Sequence, residues 1–114
     1  MCSYVITTTE KSPKRFRFTL VSRMQNLALE VLGQIYRANE IFVSGENREQ
    51  ASAKRIDRQH GALTSVKLLR YMALLAREQG CILPKQYEQI TKQVSDYQTL
   101  LGAWINSDRK RMQR

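Results

Sequence analysis

Apolar residues recur three and four positions apart between Leu20 and Ser44, where Val21, Met24, Ala28, Val31, Ile35, Ala38 and Phe42 share one face of a helical wheel. The spacing predicts a long amphipathic helix over that range. Thr19 is the expected N-cap, its hydroxyl accepting from a first-turn amide, and Gly45 is the expected left-handed stop. Ser12-Pro13 is a competing start, ranked second because a helix begun there sets Arg17 on the apolar face.

A polar loop from Gly45 to Ser52 precedes a second long helix, expected from about Ala53 to Gln79 and stopped at Gly80. Between Ala62 and Ala76, the residues Leu63, Val66, Leu68, Leu69, Tyr71, Met72, Ala73, Leu74 and Leu75 occupy nearly every sector of the wheel. The exception is one stripe, Lys67, Arg70 and Arg77, at i, i+3 and i+10. A helix apolar almost all round must be covered on more than one side. A subunit interface is the expected second cover, the alternative being a central helix in a well-wrapped monomer.

The third long helix starts at Pro84, where a fixed φ and a missing amide suit the first helical position, and runs to about Arg109. Tyr87, Ile90, Val94, Tyr97, Leu101 and Trp104 form its seam, with Lys85, Glu88, Gln89, Lys92, Gln93 and Asp96 off it. Its aromatic residues read as core rather than as a platform for stacked bases. In the opening segment, Tyr4, Val5 and Ile6 with three threonines favour strand over helix on propensity, although the segment is too short for a sheet partner. The expected organisation is one all-α domain over 1–114, with a short N-terminal segment and loop over 1–18 and a basic tail over 109–114.

Charge changes this picture from a generic bundle to a binding protein. Nineteen Lys and Arg against ten Asp and Glu leave a formal net charge of +9 on 114 residues. Such an excess attracts polyanions, nucleic acid above all, because cation contacts release condensed counterions from phosphates. An anionic membrane surface or an acidic protein stays open on charge alone. The cations cluster at helix ends and loops: Lys11, Lys14, Arg15, Arg17 and Arg23, then Arg48, Lys54, Arg55 and Arg58, then Arg109, Lys110, Arg111 and Arg114. Brought together they form a rim that follows a phosphate backbone without reading bases; kept apart they form a solvated basic surface.

Catalytic groups are scarce. His60 is the single histidine and reads as a surface or interface residue; Cys2 and Cys81 lack zinc-ligand spacing, and Cys81 reads as a reduced core or loop residue. No phosphate loop, nucleophile elbow or metalloprotease pair occurs, so the expectation is no enzyme, no cofactor and no metal. A signal segment and a long apolar run are likewise missing, which makes the cytoplasm the expected location and a membrane an unexpected partner.

Four stretches carry a resemblance: Pro13-Lys14-Arg15-Phe16-Arg17-Phe18-Thr19-Leu20, then Leu68-Leu69-Arg70, then Tyr87, and Leu101-Gly102-Ala103-Trp104-Ile105. In this order and spacing the chain resembles, over about Lys11 to Lys110, the Avd family, the accessory variability determinants of diversity-generating retroelements. That family is related to the four-helix proteins encoded in ribosomal RNA intervening sequences. The resemblance implies an antiparallel up-down four-helix bundle with a shortened first helix, assembled as a ring-like homopentamer. It also implies a basic surface that binds a reverse transcriptase and RNA or DNA during mutagenic cDNA synthesis, with the chemistry left to the polymerase.

Arg70 matches a basic position of the family and is the leading residue for partner contact. Lys67, Arg77, Lys14, Arg15, Arg17, Arg23, Arg109, Lys110 and Arg111 complete the expected binding surface. The chain departs from the family in three places: the segment before Pro13 is shorter than the family's leading helix, Val21 stands where glycine is frequent, and Leu74 stands where a further basic residue is frequent. Either the native start lies upstream of Met1, or a neighbouring subunit or partner fills the resulting groove. The rival from another class is a protein–protein adaptor of the intervening-sequence family with no nucleic-acid contact.

Overall fold

The computed structural model describes residues 1–112. Four helices pack antiparallel: α1 (Cys2–Glu10), α2 (Ser22–Asn39), α3 (Arg48–Glu78) and α4 (Pro84–Met112). A 3-10 turn (Lys14–Phe16) and a π-helical turn (Arg17–Val21) lead into α2. The bundle is a rod of 53 × 22 × 18 Å. Its radius of gyration, 16.3 Å, exceeds the roughly 13 Å of a rounder domain of this length, so long helix flanks remain accessible.

The core is built where three long stripes meet: Met24, Leu27 and Val31 from α2, Val66, Leu69 and Ala73 from α3, and Ile90, Val94 and Leu101 from α4, all buried. The anticipated face of α2 is buried at Val21, Met24, Ala28, Val31 and Ala38, with Ile35 packed at its edge. The seam of α4 is equally well anticipated, and Tyr87, Tyr97 and Trp104 pack partly buried against the core.

Phe42 does not join that face, because α2 ends at Asn39 and residues 41–44 leave the helix, so Phe42 stands 83% exposed. Gly45 is not the stop either; Gly80 is the one positive-φ residue among the described residues. The physical reason lies in α3, whose Arg55 Nη1 donates to the carbonyls of Ala38 (3.2 Å) and Ile41 (3.4 Å). A cation thus caps the terminal carbonyls, and no left-handed residue is required.

The start of α2 also differs from expectation. Thr19 caps nothing and instead lies inside the π turn, its hydroxyl donating back to Phe16 O at 3.4 Å. Helical backbone begins after Pro13, nearer the competing start. The extra residue of a π turn removes the objection to Arg17: Ser22 N–H bonds Arg17 O, the register slips by one, and Arg17 stays exposed while Leu20 and Val21 are buried.

α1 is a helix where propensity favoured strand. Tertiary packing decides: Val5 is wholly buried, and Thr9 Oγ1 donates to Val5 O at 2.7 Å, absorbing its hydroxyl within the helix. Gln25 Nε2 donates to Thr9 Oγ1 (2.9 Å) and Cys2 Sγ to Ala28 O (3.0 Å), which ties α1 along the first half of α2. Ser12 Oγ then donates to Cys81 O (2.8 Å), locking the junction to the α3–α4 turn.

α3 begins at Arg48, five residues ahead of expectation, with Asn47 at the N-cap position. Its stop is as anticipated. Gly80 N–H donates to Arg77 O and Cys81 N–H to Ala76 O, closing a Schellman motif around Gly80 at φ 74. Gly80→Ala is therefore expected to cost about 1 kcal/mol, read from denaturant unfolding, because a Cβ is strained in the left-handed region although space there is open. α4 begins at Pro84, where Leu83 N–H donates to Gln86 Oε1 at 2.8 Å, half of a capping box. It continues through Met112, so residues 109–112 are helix rather than an extension; residues 113 and 114 lie outside the described residues. Among the described residues, no helix is long and apolar enough to cross a membrane.

Candidate nucleic-acid interface

The stripe at Lys67, Arg70 and Arg77 falls on the flank of α3 that faces α4. Lys67 and Arg70 line an open cavity of about 410 Å³ with Tyr71, Leu74, Tyr87 and Gln98. Arg70 Nη1 donates to Gln98 Oε1 at 3.3 Å, and the Arg77 guanidinium sits 5.2 Å from the centre of the Tyr87 ring. These contacts orient two guanidiniums without neutralising them. The ion pairs found among the described residues all converge on Asp108, so Lys67, Arg70 and Arg77 carry uncompensated charge.

The amino-terminal cations stand elsewhere. Lys14, Arg15 and Arg17 lie on the two turns before α2, all exposed, with the Arg15 guanidinium 4.7 Å from the Phe16 ring. Arg17 lines a hollow with Phe18 and Glu10. Arg23 borders a different groove, between α2 and α3, whose walls also hold Arg58, His60, Glu30 and Asp57, so charge there is mixed.

At the opposite end, the loop-and-α3 cluster and the α4 terminus do merge. Arg48 Nη2 donates to Arg111 O, Arg109 Nη2 lies 3.0 Å from His60 Nε2, and Lys110 is exposed. The clusters do not close into one rim, however, because the 18-residue α2, about 27 Å long, separates the first from the others. They form two cationic ends, with the α3 stripe running from the middle of the rod toward the end that holds Lys14, Arg15 and Arg17.

Asp108 is the residue that sequence reasoning missed. Its carboxylate accepts from Arg55 Nε (2.6 Å), Gln59 Nε2 (2.7 Å) and Arg111 Nη2 (2.8 Å), and Arg55 also stacks 5.4 Å from the Trp104 ring. Arg55 is consequently a structural residue rather than a member of a solvated cluster. The signal was present, since Asp108 is the next seam position after Leu101 and Trp104, hidden in a run of basic residues.

Two apolar stripes remain uncovered. On α3, Leu68, Tyr71 and Leu75 lie at i, i+3 and i+7 and are exposed; on α2, Leu29, Leu32 and Tyr36 repeat the same spacing. α1 reaches along α2 only as far as Ala28, and Leu32 and Tyr36 lie beyond it. Comparison of the chain with protein-family models, with curated proteins and with solved structures finds no match.

Proposed function

We propose that this chain is a non-catalytic accessory protein of the cytoplasm that assembles with copies of itself and holds RNA or DNA beside a reverse transcriptase, supporting mutagenic cDNA synthesis in a diversity-generating retroelement. The observation that carries the binding half is the uncompensated stripe of Lys67, Arg70 and Arg77 on one accessible flank. Charge of this kind engages phosphates without base readout, which suits a factor that positions many templates. The retroelement half rests on the resemblance to the Avd family carried by Pro13 to Leu20, Leu68 to Arg70, Tyr87 and Leu101 to Ile105.

The uncovered stripes of α2 and α3 support assembly, because a monomer this small seldom leaves two rows of large apolar side chains in water. A ring-like homopentamer gives each row a neighbour. Titration of labelled structured RNA at increasing salt is the test: saturable binding at low salt is expected, with a log–log slope of roughly −2 to −3 for three phosphate contacts. No saturable binding to RNA or DNA at low salt overturns this reading in favour of the adaptor. Sedimentation of the same preparation is expected to show a multimer, and a stable monomer overturns the assembly.

A further inference from the structure

Where α2 stops early, the connecting segment, the first turn of α3 and the last turns of α4 surround an open cavity of about 520 Å³. Arg48, Arg55 and Arg111 line it, and among the described residues no carboxylate does. Asp108 lies behind this wall and pairs with two of the three guanidiniums. One negative charge against the two guanidiniums it pairs with leaves this wall of the cavity electropositive.

Arg55 is held in place before any ligand arrives. Its Nε is bound to Asp108, its Nη1 to two backbone carbonyls, and its plane is supported by the Trp104 ring. Its Nη2 donates to nothing among the described residues, so two N–H groups of a fixed guanidinium remain for an incoming acceptor. Phosphate oxygens match that geometry. Beside the arginines, Phe42 is 83% exposed and also lines the cavity. An aromatic ring exposed to water next to a fixed cation is the pairing that single-stranded nucleic acid recognises, one phosphate on the cation and one unstacked base on the ring.

We infer that this cavity is a single-strand site, in which Arg55 and Arg111 take a phosphodiester and Phe42 stacks the adjoining base. The inference rests on the nucleic-acid reading above and assigns a task that the stripe on α3 cannot perform. Lys67, Arg70 and Arg77 recognise phosphates of any strand; the Phe42 cavity requires an unpaired base. The two positions then divide the work, the flank of α3 holding structured nucleic acid and the end of the rod receiving its single-stranded extension.

The test compares wild type, Phe42→Ala and Phe42→Tyr for binding to labelled single-stranded oligouridylate and to an RNA duplex. Phe42→Ala is expected to weaken single-strand binding roughly 5- to 150-fold, the range for loss of one base–aromatic stack, and to leave duplex binding unchanged. Phe42→Tyr restores single-strand binding. Irradiation of wild type with 4-thiouridine RNA is expected to place a cross-link on the peptide that contains Phe42. Unchanged single-strand binding by Phe42→Ala, with cross-links on α3 alone, overturns the cavity and leaves the proposed function standing. Failure of wild type to bind either RNA overturns both.

Discussion

Replacing Asp108 by alanine is expected to lower stability by about 3–5 kcal/mol, the range for breaking a buried ion pair from one side. The carboxylate is 4% exposed and Arg55 14%, so water cannot take over the missing partner. Three donors lose their acceptor together, and one of them belongs to Gln59, whose own Oε1 is already buried without a hydrogen-bond partner. The damage extends to α2, because Arg55 released from Asp108 no longer holds the carbonyls of Ala38 and Ile41. Thermal unfolding reads the effect as a fall in Tm of roughly 10 °C or more. Arg111→Ala removes only the exposed partner, 67% accessible, and is expected to cost no more than about 1 kcal/mol. A loss below about 1 kcal/mol for Asp108→Ala would show that the network is not what joins the end of α2 to α3 and α4.

The second large effect concerns binding. Reversing Lys67, Arg70 and Arg77 to glutamate changes each charge by two and takes the formal net charge from +9 to +3. Affinity for structured RNA at low salt is expected to fall on the order of 100-fold, with a salt slope shallower by about two to three. All three side chains are exposed, so circular dichroism and unfolding should match wild type apart from the lost Arg77–Tyr87 and Arg70–Gln98 contacts. The control reverses Lys14, Arg15 and Arg17, which changes net charge equally on the turns before α2, off the flank between α3 and α4. Should the control lose as much affinity as the α3 variant, the bulk charge of the molecule, and not this flank, holds the RNA.

What the sequence revealed follows from how local each feature is. The Lys67, Arg70 and Arg77 stripe was legible because it lies on one uninterrupted helix, where period alone fixes a face. The Schellman stop at Gly80 and the start at Pro84 were legible because each depends on one residue's backbone. The end of α2 was not, since its cap is a guanidinium seventeen residues away on another helix, and Phe42 moved from an expected core position to solvent as a result. The same long-range dependence hid the Phe42 cavity, which exists only where three segments meet. α1 was misread for a related reason: three threonines argue for strand in isolation, and the burial of Val5, Thr8 and Thr9 against the bundle overrides them.

The wide turn at Arg17–Val21 carries one surplus residue, and this sets how the amino-terminal segment is indexed to the remainder. Removing one residue there returns ordinary helix and turns the residues immediately before it by about 100°, the angle of a single α-helical step. Arg17 then turns toward the apolar face, whereas α1 keeps its own ties through Val5, Thr9 and Cys2. The entrance to the bundle therefore acts as a dial with one permitted setting, and the outward bearing of Arg17 is written in the length of a single turn.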